Sequence, residues 1–511
     1  MKVHFHTGQD IIFFDKPAGL PTHAPDPGRP GLVEILEARL GRKLWVVHRL
    51  DKTTTGAIAF ATTAARAEEL RQDFEQHRVR KTYWFVTDRV STEDTLERES
   101  WIEKQGNAFV SSDRAQANSK TLFKRIKRSP FFELWEAKPL SGKPHQVRLH
   151  AADLGLNILG DTLYGGSSFP HLCLHALTLE IPGEAPWTCP APRFFERLGI
   201  ARDLELVRIL ASVDRRERVF RLLKKPDETL RLIHTEIPDY RLDLLGPVLW
   251  CHWYREQPPT ELDLERWDFV RSILSRPLVI QKRDDRGKDP NSQKQWILGE
   301  APELWSALED GRRAEFRQGQ GLSAGLFLDQ RLNRDAIQSL ASGQTVLNLF
   351  AYTGLFSVAA ALGGASKVTT VDLSKNFLQW SQKNFEINPG AGAVDTEWSA
   401  ADSFVFLKGA IKRERKWDVI ICDPPSFSRV DKKVFRLKED LEELVQLCLD
   451  CLAPHGTLLF SCNIESLETD EILARLKRCA PKARVDIGEQ DLDFELPGEE
   501  TALKSFWITR N

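Results

Sequence analysis

The C-terminal part of the sequence alternates short apolar runs with helix-like segments, and this pattern restricts the fold more than any other feature. Between residues 321 and 511 the apolar runs are TVLNLF, KVTTVDL, DVIICDPP, GTLLFSC and SFWITR, and a helix-like segment follows each of the first four. Strands that alternate with helices form parallel sheets that are covered on both faces. We therefore predict a doubly wound sheet with ligand sites at the carboxyl ends of its strands.

The first 200 residues show a different pattern, in which many short β-like runs are separated by turn signals. The runs include IIFF, TYWFV and FFELWEA, and the turns include DKPAG and GDTLYGG. Such closely spaced strands predict an α+β domain with a large, mixed but mostly antiparallel sheet. We predict four segments: this domain over 1–200, a helical linker over 201–228, a small α+β domain over 229–320 and the doubly wound α/β domain over 321–511.

The charge of the whole chain does not indicate a nucleic-acid partner, because 511 residues carry a formal net charge of only −2. Two local basic runs do favour RNA binding, KTLFKRIKR at 120–128 and RPLVIQKRDDRGK at 276–288. The sequence has no run of about 18 apolar residues and no apolar signal segment at its N-terminus. We therefore expect a cytoplasmic protein without a membrane partner.

The eight cysteines are few and irregularly spaced, which argues against a disulfide framework. Cys448 and Cys451 form a single C-x-x-C in a helix-like segment. A zinc site would need a second pair of ligands at suitable spacing, and the sequence offers none. We expect buried thiols and no bound metal.

The chemistry-bearing residues of the N-terminal domain fall in HRLDKTTTG at 48–56, RKTY at 80–83 and SGKPHQVRLHAADLGLNILGDTLYG at 141–165. The threonines and glycine after Asp51 suit a tight loop, and Arg148 is a candidate counter-ion. An aspartate that pairs with an arginine stays ionised, as a nucleophile must. From these residues alone, a capping or solvated aspartate remains the commoner interpretation.

In their order and spacing these segments resemble those of the RluA-type pseudouridine synthases, over about residues 9–182. The resemblance implies isomerisation of uridine in RNA without a cofactor, on a base that is flipped out of its stack. It gives Asp51 the attack on the nucleoside and matches Arg148 to the arginine that pairs with this aspartate. Tyr83 matches the tyrosine that stacks on the uracil and helps to move a proton. Arg49 would brace the loop at the substrate.

The second group of chemistry-bearing residues begins with the turn VLNLFAYTG at 346–354, which is followed by Asp372. A turn with an acid about 20 residues later is typical of dinucleotide sites, but the G-x-G-x-x-G glycines are missing. These residues alone indicate an adenosine-containing ligand. The loop Asp423–Phe427, with sequence DPPSF, follows the run VIIC and would direct a carboxylate and two carbonyls toward a base. A proline-rich turn that merely ends a strand is the alternative.

Together with GLFLDQR at 325–331, these segments resemble class I S-adenosylmethionine-dependent methyltransferases, and most closely the large-subunit ribosomal RNA enzymes that make 5-methylcytosine or 7-methylguanine. The resemblance covers about residues 230–511 and implies a seven-stranded, Rossmann-like sheet with S-adenosylmethionine as cofactor. The cofactor contacts that it implies are Arg331, Ala351, Tyr352, Thr353, Gly354, Asp372, Asp402, Ser403 and Asp423. Asp423 would lie between the methyl group and the target base, which Pro424, Pro425 and Phe427 would also contact.

The sequence leaves the methylated atom open. Methylation of cytosine C5 needs a cysteine thiolate that adds to C6, and Cys462 lies where the cytosine-modifying relatives carry theirs. A small buried residue at a strand end is the alternative interpretation of Cys462. Guanine N7 already has a lone pair and needs only positioning, and the segments DLSKNFLQWSQKNFEIN and GKDPNSQKQ resemble the guanine-modifying relatives more closely. We slightly favour guanine N7 over cytosine C5, with an exocyclic amine third.

The two resemblances together predict a bifunctional enzyme that isomerises a uridine and methylates a base, with 23S ribosomal RNA as the expected partner. The alternative is that one half is catalytic and the other serves it as an RNA-binding module. A nicotinamide-dependent oxidoreductase is disfavoured, because the glycine signature is missing and the Asp-Pro-Pro loop is present.

Overall fold

A computed structural model of the chain describes residues 10–24, 30–106, 108–113, 116–220, 229–283, 294–320, 323–430, 433–464, 466–491, 494 and 503–510. The chain divides into two compact units, the first over 1–225 and 235–237 and the second over 226–234 and 238–511. We predicted four segments. The helix of the predicted linker lies in the first unit, and the predicted small domain lies almost wholly in the second.

The first unit is built on one ten-stranded sheet. Its strands are β1 (Ile11–Lys16), β2 (Trp45–Val46), β3 (Thr55–Ala61), β4 (Arg80–Thr87), β5 (Thr95–Gln105), β6 (Ala108–Ser112), β7 (Ser119–Arg128), β8 (Glu133–Pro139), β9 (Leu174–Glu180) and β10 (Trp187–Thr188). Its helices are α1 (Leu32–Leu40), α2 (Ala64–Glu75), α3 (Gln146–Asp153) and α4 (Leu204–Phe220).

The strand order of this sheet is β1-β3-β9-β4-β8-β7-β5-β6, with β2 paired to β3 and β10 paired to β9. Among the described strands of this sheet, only β3 and β9 pair in parallel. The mixed, mostly antiparallel sheet is therefore confirmed.

The run IIFF is continuously apolar because β1 is buried on both faces of the sheet. Ile12 and Phe14 pack into one core with Ile58 of the neighbouring strand, and Ile11 and Phe13 pack into a second core on the opposite face. Side chains alternate between the two faces of a strand, so a strand covered on both sides has no polar face.

The second unit contains the doubly wound sheet and a smaller one. Its strands are β11 (Leu230–Ile233), β12 (Tyr240–Leu245), β13 (Val248–Trp253), β14 (Leu278–Lys282), β15 (Gln295–Leu298), β16 (Leu304–Glu309), β17 (Arg312–Arg317), β18 (Thr345–Leu349), β19 (Lys367–Asp372), β20 (Asp395–Ala400), β21 (Trp417–Cys422), β22 (Phe427–Val430), β23 (Lys433–Arg436), β24 (Leu452–Asn463), β25 (Arg484–Ile487) and β26 (Leu503–Thr509). Its helices are α5 (Glu261–Leu274), α6 (Arg331–Leu340), α7 (Leu355–Leu362), α8 (Lys375–Glu386), α9 (Ser403–Lys412), α10 (Leu437–Cys451) and α11 (Thr469–Cys479).

The larger sheet has seven strands in the order β20-β19-β18-β21-β24-β26-β25. The five strands from β20 to β24 in this order run parallel, and β26 is antiparallel to β24. This confirms the seven-stranded, Rossmann-like sheet. The smaller sheet has the order β11-β12-β13-β14-β15, and β16 and β17 form a separate hairpin.

The segment before the large sheet shares a hydrophobic core with it. Trp250, Trp305 and Phe316 belong to the same buried cluster as Ile337 of α6 and Phe385 of α8. A shared core of this kind makes the segment 229–320 part of the second unit's packing, although its role cannot be read from its sequence pattern.

Cys448 and Cys451 are both buried on α10. Within the described ranges, the structure contains no group of three or more His, Cys, Asp or Glu side chains that could hold a metal ion. No helix in these ranges is both long and apolar enough to cross a membrane.

Candidate active sites

The segment around Asp51 forms a turn that leads into β3. The N–H of Thr54 donates to the carbonyl oxygen of Asp51 at 3.1 Å, and the Asp51 side chain is 31% exposed. Gly56, at the start of β3, has a φ of 109°, and a Cβ there would lie 2.1 Å from the carbonyl oxygen of Ala176. Both the positive φ and the close approach of β9 therefore require glycine at this position.

A buried lysine fixes this turn through hydrogen bonds to its backbone. The ammonium of Lys16, at the end of β1, donates to the carbonyl oxygens of Pro17 at 3.0 Å, Lys52 at 3.1 Å and Thr54 at 2.9 Å. Burial lowers the pKa of Lys16 to about 7, against the effect of the Asp51 carboxylate. Lys16 thus fixes the backbone on the C-terminal side of Asp51.

Sequence reasoning gave this bracing role to Arg49, and the structure corrects it. The Arg49 side chain is exposed and, within the part of the chain that the structure describes, makes no hydrogen bond or ion pair. An exposed guanidinium remains available to a phosphate of bound RNA, so the contact of Arg49 with substrate stays a prediction.

The structure brings Asp51 and Arg148 together, as the sequence predicted. The Nη1 atom of Arg148, on α3, donates to Oδ2 of Asp51 at 3.1 Å. The same guanidinium makes two hydrogen bonds of 2.7 Å to the carboxylate of Asp161. Asp161 is almost fully buried, so it fixes the direction in which Arg148 meets Asp51. Sequence reasoning missed Asp161, although its place in the turn GDTLYGG was a signal.

Three aromatic side chains complete this site. Tyr83 lies half-buried on β4, and burial together with the Asp51 carboxylate raises the pKa of Tyr83. His145, which precedes α3, has its Nε2 atom 3.7 Å from Oδ1 of Asp51 and its Nδ1 atom 2.7 Å from the hydroxyl of Tyr164. Burial lowers the pKa of His145, so the ring is neutral at pH 7. His145 and Tyr164 were not predicted as site residues.

In the second unit, β18 ends in a turn that packs against the end of β19. Tyr352 and Gly354 have φ values of 51° and 75°, and a Cβ on Gly354 would lie 1.6 Å from the hydroxyl oxygen of Ser381. The side chains of Ala351 and Thr353 are buried. Any ligand contact from these two residues must therefore come from their backbone.

Asp372 lies at the carboxyl end of β19, beside this turn. Its Oδ2 accepts the N–H of Tyr352 and its Oδ1 accepts the N–H of Ser374, each at 2.8 Å. The carboxylate is half-buried and each oxygen keeps a lone pair, as the hydrogen bonds of a ribose diol require.

S-adenosylmethionine fits the groups at this edge of the sheet. Leu373 and Val405 expose 51% and 67% of their surface after β19 and β20, and apolar side chains of this kind suit the faces of an adenine. Asp402 caps α9, because its Oδ1 accepts the N–H of Val405 at 3.0 Å. The Ser403 hydroxyl is buried, which leaves only the backbone of Ser403 for a ligand contact.

The side chain of Arg331 is occupied by contacts within the protein interior. Its side chain is fully buried, and its guanidinium donates to Asp491 at 2.8 Å and to the carbonyl oxygen of Thr229 at 2.9 Å. These bonds tie the start of α6 to two other segments of the unit. We therefore remove Arg331 from the candidate cofactor contacts and assign it to the packing of the unit.

The Asp-Pro-Pro loop follows β21, at the same edge as Asp372. Asp423 is half-buried and Pro424 is buried, whereas Pro425 and Phe427 are exposed, Phe427 at 54%. The loop is tied to β24 by the Ser426 hydroxyl, which donates to the carbonyl oxygen of Asn463 at 2.7 Å. An exposed aromatic ring beside a fixed carboxylate suits a base that stacks and is hydrogen-bonded at once.

Cys462 does not share this arrangement with Asp423. It is fully buried on β24 and packs into the same core as Cys422, the residue before Asp423. Ser461 instead contacts Asp423, and successive side chains of a strand point to opposite faces. Burial raises the pKa of Cys462 to about 11, so its thiol is protonated at neutral pH. These observations disfavour Cys462 as a ready nucleophile, and its catalytic role stays a prediction.

Comparison with known proteins matches a family profile to part of each unit. The family profile described as S-adenosylmethionine-dependent methyltransferase matches residues 242–502, half of the chain. The chain belongs to this family. The profile described as RNA pseudouridylate synthase matches residues 10–153, which lie within the first unit. The loop GKDPNSQKQ, for which the sequence resembles the guanine-modifying relatives, lies mostly outside the described residues.

The curated relatives that the chain matches include large-subunit ribosomal RNA methyltransferases. Ribosomal RNA large subunit methyltransferase K of Neisseria meningitidis is 35% identical over 216 residues, which are 41% of this chain and 59% of the relative. A methyltransferase K/L of Pseudoalteromonas translucida is 43% identical over 254 residues, 47% of this chain and 35% of the relative. The chain thus spans less than two thirds of the length of these relatives.

Among solved structures, the methyltransferase SMU.776 complexed with SAH is similar with a TM-score of 0.52 and 28% sequence identity. The match covers 60% of this chain and 80% of that structure. Its bound SAH agrees with the fit of S-adenosylmethionine to the second unit.

Replacing Lys16 with methionine should slow pseudouridine formation by about 10²-fold, because a displacement of the reactive group by about 1 Å lowers the rate by about that factor. Quantifying pseudouridine in RNA by mass spectrometry measures the effect. Lys52→Met is the matched control, since the Lys52 side chain is exposed on the same loop. Equal rates for the two variants would contradict a bracing role for Lys16.

Replacing Asp372 with alanine should weaken S-adenosylmethionine binding by at least about tenfold, as the loss of hydrogen bonds from a charged acceptor predicts. A saturating ligand at about 100 times its Kd stabilises the wild-type fold by about 2.7 kcal/mol, and this rise in Tm should shrink in the variant. Asp395→Ala is the control, because Asp395 is 65% exposed at the opposite end of β20. An unchanged thermal shift in Asp372→Ala would place the cofactor elsewhere.

Proposed function

We propose that the chain is a bifunctional RNA-modifying enzyme of the cytoplasm, with large-subunit (23S) ribosomal RNA as its substrate. The first unit converts a uridine to pseudouridine, and the second transfers a methyl group from S-adenosylmethionine to N7 of a guanine. The ion pair between Asp51 and Arg148, inside a pseudouridylate synthase domain, carries the first half. The Asp423 loop, at the ligand edge of a methyltransferase sheet, carries the second.

Pseudouridine formation breaks the C1′–N1 bond of uridine and forms a C1′–C5 bond; C5 loses its proton and N1 gains one, so the product is an isomer and nothing is oxidised. Arg148 donates to Oδ2 of Asp51, and Oδ1 is left for attack on either the ribose or the base. Tyr83 keeps its proton at neutral pH because its pKa is raised. Its phenol therefore suits stacking and hydrogen-bond donation better than proton abstraction.

Methylation at guanine N7 needs no activated nucleophile. S-adenosylmethionine, when bound, supplies an electrophilic methyl group and leaves as a neutral thioether. The C–N7 bond forms with the existing lone pair as the C–S bond breaks, so positive charge passes to the base and no proton has to leave first. The role that we give Asp423 is to stabilise this charge, with Phe427 stacked on the base.

The names of the relatives support ribosomal RNA as the substrate, because matches at 35% and 43% identity are to large-subunit ribosomal RNA methyltransferases. Cytosine C5 is the second candidate for the methyl acceptor. We place it lower because its mechanism requires a thiolate, and Cys462 is a protonated core residue that does not face Asp423.

Asp51→Asn should abolish pseudouridine formation and leave methyl transfer unchanged, because the nucleophile belongs to one unit and the methylation residues to the other. Nucleoside mass spectrometry of the same RNA measures both products. Asp113→Asn, which alters an exposed carboxylate of the first unit, should keep both activities. Loss of methylation in Asp51→Asn would contradict two independent active sites.

Cys462→Ala should retain methyl transfer within about twofold, and the product should be 7-methylguanosine, since attack by N7 uses no protein nucleophile. Cys451→Ala removes another buried thiol of the same core and controls for lost packing. RNA that contains 5-fluorocytosine provides a second measurement, because a cytosine C5 mechanism would trap it as a covalent adduct. Such an adduct, or 5-methylcytosine as the product, would overturn the guanine proposal.

A further inference from the structure

A hydrogen-bonded series of buried polar side chains leads to Asp423 through the interior of the second unit. Its members, each at most 3% exposed, are Ser505, Asn333, Gln330 and Ser461. They come from β26, α6, the turn before α6 and β24. Buried polar groups destabilise a fold unless they are hydrogen-bonded, and here each one is bonded to the next.

From Asn333 to Asp423 the hydrogen bonds of this series all donate in one direction. The Asn333 amide nitrogen donates to the hydroxyl of Ser505 at 2.7 Å and to the amide oxygen of Gln330 at 2.6 Å. The Gln330 amide nitrogen then donates to the hydroxyl oxygen of Ser461 at 3.0 Å. The Ser461 hydroxyl donates to Oδ1 of Asp423 at 2.7 Å.

The direction follows from the chemistry of the groups. An amide nitrogen only donates and an amide oxygen only accepts, so Asn333 fixes which end of Gln330 faces Ser461. The Ser461 oxygen already accepts from Gln330, and its single proton is therefore directed to Asp423. Oδ1 of Asp423 must be an acceptor, and an ionised carboxylate satisfies this condition at both oxygens.

The charges around Asp423 do not by themselves keep it ionised. Burial is the largest influence and raises the pKa of Asp423 to about 6, and the Asp329 carboxylate acts in the same direction. The hydrogen bond from Ser461 and the Gln330 side chain lower this pKa, and the Arg334 guanidinium also lowers it. Arg334 is bonded to both oxygens of Glu309 at 2.6 Å, so its charge is largely compensated.

We propose that Ser461 and Gln330 are positioning residues for methyl transfer, which hold Asp423 as an ionised acceptor toward the target base. The inference rests on the proposed role of Asp423 and adds the residues that enforce it. Because a neutral hydroxyl supplies the hydrogen bond, the carboxylate stays charged without a cation beside the methyl group that is transferred.

The pH dependence of single-turnover methyl transfer to ribosomal RNA tests the proposal. The wild-type rate should fall as the pH drops through about 6, where Asp423 gains a proton. In Ser461→Ala this fall should move up by about one pH unit, which lowers the rate at pH 6 by about fivefold and leaves it nearly unchanged above about pH 8. Ser461→Thr keeps the hydroxyl and should restore the wild-type profile.

Two further variants separate positioning from general loss of structure. Gln330→Glu replaces the donating amide with an acceptor that draws the Ser461 proton away from Asp423, so its profile should shift in the same direction as that of Ser461→Ala. Thr369→Val removes a buried hydroxyl from β19, which accepts a hydrogen bond from Trp417, and should leave the profile unshifted. Infrared difference titration of the wild type and of Ser461→Ala, each against Asp423→Asn and with no cofactor or RNA present, provides a second measurement. The pH at which the protonated Asp423 carboxyl appears should move up in Ser461→Ala by the same amount as the fall in rate.

If the rate of Ser461→Ala is lower at every pH but falls at the same pH as that of the wild type, the positioning role is wrong and the proposed function is unaffected. A wild-type enzyme that methylates guanine N7 without any fall near pH 6 would remove the role of Asp423 itself. Failure to form a methylated base would instead count against the proposed function, and the infrared titration would still report on the Ser461 contact.

Discussion

Burial disfavours the charged form of a carboxylate and fixed hydrogen-bond donors favour it, and each candidate site holds a half-buried carboxylate by such donors. At Asp51 the donor is a cation, because Arg148 reaches it directly and Asp161 fixes Arg148 in turn. At Asp423 the donor is the neutral hydroxyl of Ser461. The difference agrees with the chemistry, since a cation orients and stabilises an anionic group but would repel both a methyl sulfonium and a positively charged product base.

The fold could be predicted well from the sequence because its two periodic patterns extend over long segments. The alternation of strands and helices after residue 321 leaves few arrangements other than a parallel sheet with right-handed crossovers. The packing of the segment 229–320 could not be predicted in this way. Its association with the large sheet depends on Trp305 and Phe316 meeting α6 and α8, and no local pattern specifies that contact.

The candidate sites were predicted only where a motif contains the reactive residue itself. Asp51, Tyr83, Asp372 and Asp423 belong to such motifs, whereas Lys16 and Asp161 act through backbone carbonyls or through another side chain. Arg331 and Cys462 have the expected residue type, but burial and the face of the strand exclude the expected contacts. For Cys462 the signal was present in the sequence, because Ser461 and Cys462 must point to opposite faces of β24.

Gly56 shows how the fold, rather than the reaction, restricts a position close to the catalytic aspartate. The carbonyl oxygen of Ala176 occupies the place of any Cβ, so no other residue fits there without displacing β3 from β9. In a mutational scan this position should therefore be as intolerant as the nucleophile, and its variants should be lost through insolubility. Expression level and activity per folded molecule would separate these two causes, which a single activity score combines.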